Sequence, residues 1–99
     1  MLVDSHCHLD FPELADKLDT VAESMRDNGV THALCVSVKL ENFPRVLAIA
    51  EGAQNLYASV GVHPDYSDVR EPSVGELESL AAHPKVVAIG ETGLDYHRL

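Results

Sequence analysis

Short, continuously apolar segments alternate with longer segments that are apolar on one side only. This alternation constrains the fold more than any other feature of the chain. LVDSH (2–6) reads as a strand. Residues 12–28 then place Leu14, Leu18, Val21, Ala22 and Met25 on one helical face, with Pro12 suited to the first turn and Gly29 to the position past the end. HALCVSV (32–38) predicts a second strand, and residues 42–51 a helix with Phe43, Val46, Leu47 and Ala50 turned inward. LYASVGV (56–62) predicts a third strand. A third helix begins at Ser73, where Ser73 and Glu76 have capping-box spacing. KVVAIGE (85–91) predicts a fourth strand.

Strands this apolar, separated by amphipathic helices, are expected to be buried on both faces of a parallel α/β sheet. Two architectures fit: an open doubly wound sheet, or the first half of a (βα)8 barrel of the TIM type. In both, chemistry gathers at the C-terminal ends of the strands. The first strand-to-helix turn, SHCHLDFPEL, has no glycine and cannot cradle a dinucleotide or a P-loop phosphate. That removes the commonest task of an open sheet and favours the barrel. A full barrel takes roughly 200–250 residues. The 99 residues are therefore expected to form the N-terminal half of one barrel domain, and so a fragment of a longer protein.

His6 and His8 stand one residue apart at the end of the first strand, so their side chains project to one face. A lone H-x-H is common, but at the mouth of a barrel it is a divalent-metal pair. Glu91 follows Val87 and Ile89 on one face of the fourth strand, and a carboxylate there can join the pair and bridge two ions. His63 closes the third strand in SVGVHPDY and shares a face with Tyr57, Ser59 and Gly61; the small residues below it are expected to leave a cavity. It is a candidate catalytic residue that orients a substrate phosphate. Asp4 lies deeper and suits hydrogen-bonding support, and Asp10 a structural role. Asp95 lies past a strand end, and His97 is ambiguous. His32 and His83 sit at strand starts, far from the mouth. Zn, Mn or Mg would suit the His and carboxylate set.

DSHCHLD, SVGVHPDY and IGETGLDYH, in this order and spacing, resemble the N-terminal signatures of the TatD-like metal-dependent hydrolases, within the amidohydrolase superfamily. The resemblance implies His6 and His8 as metal ligands, Glu91 as the carboxylate bridging two divalent ions, and His63 as an active-site histidine. Thr92 stands where the family pattern has Ile or Val. The implied activity is metal-dependent hydrolysis of nucleic-acid phosphodiesters, chiefly DNA. The ligands this family takes from later strands lie beyond the pattern found here. They would have to come from the remaining half of the barrel or another copy of the chain.

The net charge of −9 is the wrong sign for tracking a duplex backbone. It keeps open an amidohydrolase-type enzyme with a non-nucleic-acid substrate, or an inactive piece with an incomplete metal site. Relatives that bridge their metals with a carboxylated lysine on strand four are disfavoured, because Lys85 begins that strand and Glu91 ends it. No apolar run reaches the length of a membrane span, and there is no basic leader, so the expected setting is cytoplasmic.

Overall fold

In the computed structural model, which describes residues 1–65, 71–94 and 96, the strands neighbour one another in chain order. They are β1 (Leu2–Cys7), β2 (Val30–Cys35), β3 (Leu56–Val60) and β4 (Val86–Ile89), and every pairing is parallel. A doubly wound sheet reverses its strand order at a switch point. The order β1-β2-β3-β4 never reverses, which is the winding of a (βα)8 barrel. Asp95 and His97 lie outside the described residues.

The helices are α1 (Pro12–Ala15), α2 (Leu18–Asp27), α3 (Phe43–Glu51, after a 3-10 turn at Leu40–Asn42) and α4 (Val74–Ala81). Two of their termini follow the local chemistry read from the sequence. Ser73 Oγ accepts from the Glu76 backbone N–H at 3.1 Å. Gly29 follows α2 with φ +75°, a left-handed conformation that glycine adopts without a Cβ clash. The expected single helix over 12–28 is broken instead: Lys17 leaves the helical region at φ −125°, ψ 26°. The first turn is tied to the end of β1, because the Phe11 carbonyl receives the Leu14 and Ala15 N–H groups while its ring stacks on His8.

The core lies between sheet and helices. Cys35 and Ala58 of the sheet pack with Leu9 and with Val46 and Ala50 of α3, and Leu14, Leu18 and Val21 close over them. A second cluster joins Leu40, Phe43 and Val60 to Leu77 and Leu80 of α4. Burying one such valine is worth roughly 1.5–3 kcal/mol. Burial on both faces is reached only in the C-terminal part of β3, at Ala58, Ser59 and Val60, whereas β2 leaves His32 exposed and Leu34 half-buried. Each outer strand has one neighbour among the described residues, which leaves Leu2 and Val3 at 60% exposure, Val87 at 58% and Ile89 at 48%.

The strand-start histidines are peripheral. Exposed His32 bonds Thr31 and stacks on Tyr57. His83 accepts from the Lys85 N–H and pairs with Glu51 at 3.4 Å. Lys85 Nζ donates to the Ala53 and Leu56 carbonyls at 2.8 Å, which fastens the start of β4 to the α3–β3 loop.

Candidate metal centre

At the other end of the sheet four side chains meet. His6 Nε2 and His8 Nε2 each lie 3.3 Å from Glu91 Oε2, and His63 Nε2 lies 3.3 Å from Glu91 Oε1. With Phe11, Val38 and Asp65 they line a recess of about 300 Å³. A cleft of about 640 Å³ adjoins it through His63, bounded also by Pro64, Thr92 and Gly93. A separate apolar cleft of about 420 Å³, between α2 and α3 on the helical side, holds none of these four residues.

The alternation at the end of β1 sends His6 and His8 one way and Cys7 the other. Cys7 packs against the helix-side cluster and its thiol donates to the Leu34 carbonyl at 3.4 Å. The neighbouring Cys35 thiol, together with burial, pushes its pKa far above the ordinary thiol value, so it stays protonated. Asp4 Oδ1 accepts from the His6 backbone N–H at 3.0 Å, a supporting contact. Asp10 is 3% exposed, and its Oδ1 has no hydrogen-bond partner among the described residues.

Hydrogen bonds fix the tautomers. His8 Nδ1 lies 3.1 Å from the Val36 carbonyl oxygen, which can only accept, so Nδ1 carries the proton. The bare lone pair of Nε2 then faces the carboxylate oxygen Oε2. Two acceptors at 3.3 Å repel unless a cation or a proton lies between them. A backbone carbonyl on the far nitrogen is also the usual support of a metal-bound histidine. His63 is the reverse case. Its Nδ1 accepts from the Asp65 backbone N–H at 3.0 Å, so its proton is on Nε2 and points at Oε1. His6, His8 and Glu91 are also, among the described residues, the group of three whose ligand atoms lie within 4.8 Å of one another. Neutral imidazole and carboxylate donors fit a divalent ion of the Zn or Mn type.

Glu91 is not in β4, which ends at Ile89. It is placed by hydrogen bonds that its own segment gives no sign of. Its N–H donates to the Ser37 carbonyl at 2.9 Å, and the Gly90 N–H to Val60 at 3.0 Å. The Gly90 carbonyl accepts from Ser59 Oγ at 2.9 Å. The small residues below His63 therefore serve close approach rather than a cavity. A Cβ on Gly61 would stand 2.6 Å from the Gly90 oxygen. Phe11, Ser37 and Ser59 support the site, and the sequence reading passed over Phe11 and Ser37. Only the placement of Ser59 two and four residues before Gly61 and His63 hinted at any of this.

The family model described as "TatD related DNase" matches residues 3–99. The uncharacterized metal-dependent hydrolase YjjV of Escherichia coli is 41% identical over 94% of the chain, and an uncharacterized metal-dependent hydrolase of Buchnera aphidicola is 38% identical over 98%. The 3'-5' ssDNA/RNA exonuclease TatD of Musicola paradisiaca is 38% identical over 81%. The crystal structure of the E. coli TatD homologue YjjV superposes with a TM-score of 0.82 over 96% of the chain at 38% identity. The chain spans 31–38% of the length of these proteins.

Proposed function

The chain belongs to the TatD-related DNase family of metal-dependent hydrolases, and from that premise we propose that its strand-end cluster holds divalent metal and serves in hydrolysing the phosphodiester bonds of nucleic acid, from a strand end. The observation that carries this reading is the pair of histidine Nε2 atoms facing one carboxylate oxygen, with His8 held in the tautomer that leaves its lone pair free. His6, His8 and Glu91 would hold the divalent metal there. Divalent ions bound there supply Lewis acidity towards a phosphoryl oxygen and a positive charge that the chain itself lacks.

The remaining steps belong to the protein. His63 presents its single Nε2–H to Glu91 Oε1 in the recess, and a non-bridging phosphate oxygen can take that oxygen's place as acceptor when substrate enters. The 640 Å³ cleft beyond it has room for the nucleotide next to the scissile bond. The net charge of −9 favours short or single strands, gripped at the metal, over a tracked duplex. The name of the Musicola relative, an exonuclease acting on single-stranded DNA and RNA, supports the same substrate. In a protein that carries this chain within a closed barrel, a single-stranded oligonucleotide labelled at its 5' end should shorten from the 3' end with Mn or Mg, and EDTA should stop it. Metal-bound protein that leaves the oligonucleotide intact but cleaves another ester or amide would move the substrate outside nucleic acids.

The described residues supply three ligands, and the distal ligands are expected from the rest of a barrel or another copy of the chain. The half-exposed outer strands support the same closure, since unpaired apolar edges recruit other strands. The 99-residue chain by itself is expected to sediment above its 10.8 kDa monomer mass. A sharply melting monomer at micromolar concentration would show that the edges tolerate water.

A further inference from the structure

Ser37 and Ser59 are almost wholly buried, at 0% and 1% exposure, and their polar atoms form one connected set. The Ser37 N–H donates to Ser59 Oγ at 3.0 Å, and Ser37 Oγ–H donates to the Ser59 carbonyl at 2.7 Å. Ser59 Oγ–H in turn donates to the Gly90 carbonyl at 2.9 Å, and the Glu91 N–H closes onto the Ser37 carbonyl at 2.9 Å. Each hydroxyl proton is used once. The loop past β2, strand β3 and the segment past β4 are thereby fastened together one peptide away from the Glu91 side chain. Sheet hydrogen bonding cannot do this, because β4 has already ended and Glu91 bonds past β3 to the β2 side. A buried hydroxyl pair is costly unless fully satisfied; here the Ser59 hydroxyl holds the Gly90 carbonyl, and the Ser37 hydroxyl ties the loop past β2 to Ser59.

We propose that Ser59 and Ser37 are positioning residues for the metal centre: their clasp sets the Gly90–Glu91 peptide so that the Glu91 carboxylate faces the two histidine Nε2 atoms. The proposal rests on the reading of Glu91 as a metal ligand. Ser59 is the critical member, since its hydroxyl both accepts and donates. Ser59→Ala removes the hold on the Gly90 carbonyl and strands the Ser37 N–H. Ser37→Ala keeps both of its backbone bonds and loses one.

The test is Co2+ titration of the full chain, read by calorimetry and by the visible absorption of the bound ion, alongside denaturant melts of the same proteins without metal. Ser59→Ala should weaken Co2+ binding by about 10–100-fold, the scale seen when support of a metal ligand is lost. It should also change the absorption band. Ser37→Ala should lose less. Lys85→Met, which cuts the hold at the opposite end of β4, is the control: it should lower stability and leave Co2+ affinity unchanged. If Lys85→Met weakens binding as much as Ser59→Ala, the serines act only through stability, and the proposal fails. Unchanged Co2+ affinity in both serine variants also overturns it. If Ser59→Ala does not fold, Ser37→Ala against Lys85→Met makes the same comparison. Failure of the parent chain to bind Co2+ would instead remove the metal reading beneath it.

Discussion

Glu91→Gln should leave the fold intact and abolish most of the proposed metal-dependent cleavage. The substitution preserves shape, so Phe11, His8 and the Ser37 carbonyl keep their places. What changes is the group between the imidazoles. A carboxylate oxygen 3.3 Å from two Nε2 atoms invites a cation, whereas an amide can turn its NH2 towards His8 and satisfy that ring's lone pair by donation. His8 is then occupied internally, and the anionic ligand is gone. The loss of one electrostatic contact to the reacting group costs on the order of 10²–10³ in rate, and loss of an ion costs more. Rates with Mn, before and after EDTA, decide it. Near-parental cleavage that EDTA still inhibits would mean that a different carboxylate bridges the ions.

Gly61→Ala should be the most damaging conservative change outside the ligands. Its Cβ would meet the Gly90 oxygen at 2.6 Å, the Gly90 carbon at 2.7 Å and the Glu91 oxygen at 3.0 Å, all backbone atoms. No rotamer change relieves such a contact. The Gly90 peptide is held from both sides, by Val60 through its N–H and by Ser59 through its carbonyl. Because β4 is an outer strand among the described residues, relief comes by displacing its end, and Glu91 goes with it. The expected cost is about 1–3 kcal/mol of stability, the usual scale of overpacking, together with a fall in metal affinity. Gly90→Ala is the matched control, since its Cβ would find nothing nearer than Ser59 Oγ at 3.9 Å. Denaturant melts and Co2+ titrations of the pair should separate them. Equal behaviour of the two variants would show that the sheet end yields without moving the site.

What the sequence by itself determined is whatever neighbouring residues decide between them. The alternation of apolar runs with one-sided helices gave parallel strands. The missing glycine in SHCHLDFPEL pointed to the barrel, and the strands do run in unreversed chain order. The Ser73–Glu76 cap was legible because both partners lie within one helical turn. The one-residue spacing of His6 and His8 told which face they share, since a strand alternates whatever lies beside it. The tertiary structure decided what depends on groups far apart in the chain. It broke the first helix at Lys17, after the turn whose Phe11 ring stacks on His8. It ended β4 at Ile89 and brought Glu91 to the histidines through a serine clasp whose partners are 22 and 31 residues apart. It gave His8 and His63 opposite tautomers, by setting a carbonyl against one ring and an N–H against the other. Periodicity records which side of an element is buried. It carries no record of which peptide group from another strand will arrive there, and the direction of that one hydrogen bond decides whether a histidine offers a lone pair or a proton.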